Sequence, residues 1–151
     1  HFCGACHAGW RGIANGILLK VIKKLETIGS KRKDLIIALG PAISEKNYQV
    51  DLNVAESIFK SLFTKKENSF FKVQEKIEKM ISLGIINYDS QPNKYLLDLR
   101  ASAAKQLYQS GLKESQISIS NLCTYSNQPL FNSWRRDKAK NRQWSMIATS
   151  F

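Results

Sequence analysis

Between Ile13 and Leu25 the apolar residues Ile13, Ile17, Leu18, Val21, Ile22 and Leu25 recur at spacings of three and four, and Gly29-Ser30 ends the run. That spacing lays them along one face of an α-helix of about 16 residues. Leu35-Ile36-Ile37-Ala38-Leu39 follows, too short for a helix and rich in branched side chains, with Gly40-Pro41 behind it. It predicts a buried strand. The small, mostly apolar stretch 1–7 reads as a strand ahead of the helix. Strand, helix and strand in that order constrain the chain to an α/β arrangement, with helices layered on a sheet.

The remaining 100 or so residues extend the same pattern without a composition shift, so one domain or part of one is expected. Residues 52–63 predict a second helix with Val54, Ala55, Ile58, Phe59 and Leu62 inward, and Asp51 is placed to cap it. Residues 65–69 read as a polar break, 71–83 as a third helix, and 87–94 as a surface loop rich in Asn, Asp, Ser and Pro. Asp98 is placed to cap a helix over 99–109 that Gly111 ends. Strands are expected at 116–121, by the alternation of Ile117 and Ile119, and at 144–148.

Charge and cysteine usage narrow the function classes. The 23 basic and 12 acidic residues leave a formal +11. The lysines are scattered over helical segments and no nucleic-acid module accompanies them, so a solvated basic face or an anionic small-molecule pocket is expected, and no nucleic-acid partner. No apolar run approaches the 18 or so residues of a membrane helix, and no membrane partner is expected. The first residues have neither initiator Met nor an apolar leader core, so the start reads as a cut rather than a signal peptide. Three cysteines, Cys3, Cys6 and Cys123, suit a reducing, cytoplasmic setting better than a disulfide framework.

Chemistry concentrates in His7-Ala8-Gly9-Trp10-Arg11-Gly12, at a strand-to-helix junction. Glycines allow close approach of a ligand or of backbone. His7 is able to ligate a metal or move a proton, and Arg11 to bind an anion beside free helix N–H groups. The plainer alternative makes His7 a hydrogen-bonded core histidine and Trp10 a packing residue. Cys3 and Cys6 have a Cys-x-x-Cys spacing flanked by His1 and His7. On a strand, residues three apart face opposite ways, so small buried cysteines are the better expectation. Cys123 follows a strand and would meet His7 only through the fold. In Phe131-Asn132-Ser133-Trp134-Arg135-Arg136-Asp137 one arginine is expected to enter a pocket while the other pairs with Asp137 or faces solvent.

The run His7–Gly12 resembles the signature of the bacterial laccase-domain, or multicopper polyphenol oxidase, family, also regarded as purine nucleoside phosphorylases and adenosine deaminases. The likeness continues in order through Leu39-Gly40-Pro41-Ala42-Ile43, Leu97-Asp98-Leu99, Gln106-Leu107 with Gly111, Cys123-Thr124, and Phe131 to Arg136. It implies a single α/β sandwich domain resembling the toxin-deamidase-like cysteine hydrolase fold. Residues 1–151 would be its C-terminal portion, with the N-terminal part missing. It also implies a zinc centre of two histidines and one cysteine, in which His7 is one ligand and the other two precede the motif.

The implied activity is cleavage of adenosine and inosine with phosphate, with adenosine deamination as a side activity. Purine nucleosides and phosphate are the partners, Arg11 and Arg136 the substrate-binding residues, and no obligate protein partner is implied. An inactive or structural remnant without a complete metal site is the alternative. Copper-dependent polyphenol oxidation is disfavoured, because two histidines cannot furnish the ligands of several copper ions. The chain departs from the family pattern at Asn47, Gln49, Ala103 and Trp134, and its segment 65–94 matches poorly.

With the charge spread in this way, duplex DNA and single-stranded RNA are expected to bind no tighter than micromolar near about 150 mM salt, where nonspecific contacts weaken. Fluorescence anisotropy measures this, and submicromolar affinity would contradict it.

Overall fold

A computed structural model of the chain describes residues 2–139, 141 and 143–149. The helical stretch after the glycine-rich motif is in two pieces, α1 (Trp10–Ala14) and α2 (Ile17–Thr27). Gly16 separates them in the left-handed region, at φ +68°. A side chain there would be strained, so the break is built into the sequence. The single helix expected from the periodicity is thereby bent, and Ile13 on one piece and Leu18 and Ile22 on the other all reach the core.

Two small sheets accompany the helices. β1 (Ile37–Leu39) pairs in parallel with β5 (Ile117–Ile119), Ile37 opposite Ile117 and Leu39 opposite Ile119. Ile37, Leu39 and Ile117 pack against the core. The other face is open: Ile36, expected inside a buried strand, is 87% exposed, and Ala38 and Ser118 are exposed too. No layer covers that side among the described residues.

The second sheet is antiparallel, in the order β2 (Gln49–Asp51), β4 (Lys94–Leu97), β3 (Ile86–Tyr88). Val50 faces Tyr95 and Ile86 faces Leu97 across the ladders. Residues 87–94, expected as a loop, therefore include the inner ends of a hairpin. Their polar residues had disguised strands whose solvent face is polar. Asp89 Oδ1 shapes the turn by accepting the Gln91 N–H at 2.8 Å, and Asn93 adopts φ 58°. Asn tolerates that left-handed conformation better than most residues.

α3 (Leu52–Leu62) buries Val54, Ala55, Ile58, Phe59 and Leu62 as the spacing requires. Asp51 occupies the N-cap position but caps nothing; its carboxylate pairs with Lys94 on the neighbouring strand. The polar break at 65–69 is instead a short helix, α4 (Lys65–Phe70), started by a capping box. In it Thr64 Oγ1 accepts the Glu67 N–H at 3.2 Å, and Glu67 Oε2 accepts the Thr64 N–H at 2.8 Å. α5 (Val73–Ser82) and α6 (Leu99–Gln109) follow. Asp98 does cap α6, its Oδ1 accepting the N–H groups of Arg100 and Ala101 at 2.8 and 2.9 Å. A last helical turn, α7 (Trp134–Asp137), closes the ordered elements.

Two expected strands are not strands. Of the stretch 1–7, the described residues 2–7, and likewise residues 144–148, lie beside no pairing partner among the described residues. A strand needs a ladder to a neighbour to form a sheet. Trp144 and Met146 stand 92% and 95% exposed. The two stretches approach one another where the Cys3 thiol meets the Ile147 carbonyl at 3.8 Å. No helix among the described residues is long and apolar enough to cross a membrane.

The core lies between α1, α3, α5, α6 and the inner face of the second sheet. Two fully buried polar side chains, Ser102 and Gln106, lie among the described residues, and Gln106 is the larger. Gln106, 1% exposed, donates from Nε2 to the Ile13 carbonyl at 2.8 Å and to Ser61 Oγ at 2.9 Å. Replacing it by Ala removes both bonds and leaves a void. Gln106→Ala is expected to lose about 2–4 kcal/mol of stability, measured by urea denaturation.

Candidate functional site

The signature motif folds tightly onto itself. A Cβ built at Gly9 would come within 3.0 Å of His7 Nε2, and one at Gly12 would meet the His7 carbonyl at 3.4 Å and Ile17 Cγ2 at 3.3 Å. The glycines therefore make room for the imidazole over residue 9 and for α1 beside residue 7. His7 is exposed, so the core-histidine alternative is overturned, while Trp10 packs against the core as that alternative held. With five residues, α1 is too short to act as an anion-binding helix end. Arg11 acts by its own charge, its guanidinium lying 4.4 Å over the Trp10 ring.

Trp10 is one wall of a cleft of about 180 Å³, whose other lining includes Tyr48, Gln49, Asp51, Lys94 and Arg135. β2 brings Gln49 and Asp51, β4 brings Lys94, and α7 swings Arg135 across from the far end of the chain. Arg135 lies 5.0 Å over the Tyr48 ring and donates from Nη1 to the Gln49 carbonyl at 2.9 Å. Burial pushes the Tyr48 phenol up, while the charges of Arg135 and Arg11 pull it down. Both guanidiniums thus act on one phenol.

Arg136 has the opposite fate. Its Nη1 donates to the carbonyls of Thr124 at 3.1 Å and Tyr125 at 2.6 Å, and its Nη2 to that of Phe131 at 2.8 Å. Nε and Nη2 also grip Asp137, at 2.6 and 2.8 Å. The adjacent arginines divide as their adjacency predicted. Arg135 faces the cleft, and Arg136, expected to contact substrate, has every nitrogen engaged by the protein itself. A larger groove, about 480 Å³, lies between α2, α3 and α6, and the arginine on its rim, Arg32, is tied to Glu26 and the Ser110 carbonyl.

A second polar cluster stands at the carboxyl ends of β1 and β5, where Ala42 and Cys123 form a parallel bridge. Cys123 Sγ accepts from the Ser44 N–H at 3.2 Å and from Asn47 Nδ2 at 3.5 Å. Asn47 Nδ2 also donates to Ser44 Oγ and to Ser126 Oγ, both at 2.9 Å. Burial pushes the Cys123 thiol up, but hydrogen bonds from Ser44 and Ser126 outweigh it and bring the pKa to about 6. His7 is not among its partners. Cys3 and Cys6 are free and exposed, contrary to the expectation of burial, and His1 lies outside the described residues.

Among the described residues no three His, Cys, Asp or Glu side chains converge on a point able to hold a metal. His7 can offer one imidazole, and a three-ligand zinc set does not fit within these residues alone. Arg135 and Asn47 escaped sequence reading. Only the adjacency of two arginines hinted at the first, and only a departure from the family pattern marked the second.

The fold and cleft define a mixed α/β protein with an aromatic-walled cleft that Arg135 and Lys94 line. The sequence profile of the multi-copper polyphenol oxidoreductase laccase family matches residues 1–150, and the chain belongs to that family. It is 38% identical over 146 residues to a purine nucleoside phosphorylase of Synechocystis, a match covering 96% of this chain and 55% of the relative. It is 33% identical to the purine nucleoside phosphorylase YlmD of Bacillus subtilis, covering 95% of this chain and 46% of the relative. The crystal structure of YlmD from Geobacillus stearothermophilus superposes with a TM-score of 0.69 at 30% identity, over 88% of this chain and 43% of that one. The chain spans about half the length of the curated relatives it matches.

Alkylation tests the thiol assignment. Iodoacetamide is expected to modify Cys3 and Cys6 in the native protein and Cys123, 6% exposed, only after unfolding. Because the folded pKa of Cys123 lies below the unfolded value of 9.0, its stabilisation is complete above pH 9 and fades as pH falls through about 6. Wild type is therefore expected to lose stability relative to Cys123→Ala between pH 9 and 6 in denaturation curves.

Proposed function

We propose that residues 1–151 form the C-terminal portion of one laccase-type domain in a zinc-dependent purine nucleoside phosphorylase. The enzyme cleaves adenosine and inosine with phosphate and deaminates adenosine as a side activity. The observation that carries this reading is the match to relatives of that name along nearly the whole chain. The open face of the β1–β5 pair supports the domain assignment, since parallel strands are ordinarily covered on both sides.

In phosphorolysis a phosphate oxygen bonds to ribose C1′ while the C1′–N9 bond breaks and the purine departs with the electron pair. The dianion must be held and its charge offset. The guanidiniums of Arg11 and Arg135, lying over the Trp10 and Tyr48 rings, supply that field. Arg136 keeps a part by fixing the backbone at Thr124, Tyr125 and Phe131 behind Arg135. His7 is proposed as one zinc ligand, with the remaining ligands outside residues 1–151, and zinc rather than copper as the metal. The three free cysteines favour a cytoplasmic setting. A second reading is an inactive or structural remnant without a complete metal site.

Chromatography of the protein at its full natural length with adenosine or inosine tests this. Free adenine or hypoxanthine is expected to appear only with phosphate, and some inosine to form from adenosine. Arg11→Ala is expected to impair phosphorolysis more than deamination, and His7→Ala to lower bound zinc. Folded, zinc-loaded protein that changes neither nucleoside would refute the assignment.

A further inference from the structure

We infer that Arg135 and Tyr48, in the field of Arg11, build a seat for a phosphate-type oxyanion in the cleft between Trp10 and Lys94. This deepens the proposed activity and rests on it for the ligand's place in the reaction, but the seat is argued from the cleft itself. A guanidinium carries five N–H donors. Arg135 uses one nitrogen, Nη1, on the Gln49 carbonyl; its Nε and Nη2 make no hydrogen bond among the described residues. The Tyr48 hydroxyl likewise has no hydrogen-bond partner among them. Unfilled donors on a planar fork and a phenol beside it suit a tetrahedral oxyanion, which accepts two parallel bonds from the fork and a third from the hydroxyl.

Charge points the same way. The one carboxylate lining the cleft, Asp51, is already paired with Lys94, and no carboxylate pairs with Arg11 or Arg135 among the described residues. Arg11 does not line the cleft but adds its charge from over the Trp10 ring, and that charge reaches the Tyr48 phenol. The contrast with Arg136 is internal to the chain: two neighbouring arginines meet the same solvent, yet one has every nitrogen satisfied and the other is left with donors to spare.

Free phosphate and the phosphate group of a sugar ester share this chemistry, so both are probes. Isothermal titration of the purified protein at low ionic strength with inorganic phosphate and with ribose 1-phosphate measures the seat. At least one is expected to bind, with Arg135→Ala weakening it by tenfold or more, as the loss of a charge-assisted bidentate contact implies. Arg135→Lys retains charge without the fork and is expected to fall between. Tyr48→Phe keeps the ring under Arg135 and removes only the hydroxyl, so it weakens binding several-fold with an unchanged circular dichroism spectrum and guards against misfolding of the first variant. Preference for one probe identifies the source. Binding of neither probe, or affinity within about twofold of wild type in folded Arg135→Ala and Tyr48→Phe, overturns the inference. Arg135-dependent phosphate binding without base release would sink the phosphorylase reading and leave the seat standing. Phosphate-dependent base release with an unchanged phosphate KM in Arg135→Ala would do the reverse.

Discussion

The Gln106 side chain amide joins three helices from inside the core. Its Nε2 holds a carbonyl of α1 and a hydroxyl of α3 while its backbone belongs to α6. A buried amide donor without partners is costly, so the three helices are held to relative positions that satisfy Nε2, while Oε1 stays buried without a hydrogen-bond partner among the described residues. Most of the driving force comes from Ile13, Ile58, Phe59, Ile77, Met80 and Leu107, each buried almost completely. An apolar contact tolerates a sliding neighbour, whereas a hydrogen bond tolerates only a few tenths of an ångström. The division of labour follows: apolar burial supplies the free energy, and Gln106 supplies the register.

That register decides where the chemistry sits. α1 carries Trp10 and Arg11, and the strand running into α3 carries Gln49 and Asp51. Fixing α1 against α3 therefore fixes one wall of the cleft against another. The third wall arrives from residue 135, and the Arg136 clamp on three carbonyls gives that distant segment a defined backbone. Cys123 secures the same loop from its other end through Ser44 and Ser126. A site assembled from residues 10, 48 and 135 depends on contacts that no local stretch of sequence contains.

This explains what could be read beforehand. The helix over 52–62 and its five buried residues followed from spacing alone, and the cap at Asp98 from its position, because both are local. The family, too, was legible from an ordered series of motifs. The kink at Gly16 was missed because the apolar period continues across it. The Lys65–Phe70 helix was missed because a capping box within polar residues imitates a loop. Asp51 had the composition of a cap, but Lys94 on the next strand was the stronger partner. Trp144 to Ala148 has the side chains of a strand and no pairing neighbour among the described residues. The choice between Arg135 and Arg136 required knowing which one the carbonyls at 124, 125 and 131 would take.

The uncovered parallel pair has a consequence for how the molecule behaves in concentrated solution. Its edges, unpaired among the described residues, and the bare Ile36 are a template on which another extended chain can stack. The net charge of +11 works against this, because like-charged molecules repel before their edges can meet. That repulsion decays over about 10 Å at 0.1 M salt and over about 3 Å at 1 M. Wherever that pair is left uncovered, colloidal stability is therefore ionic: dilute buffer keeps the molecules apart, and concentrated salt exposes them to edge-to-edge stacking.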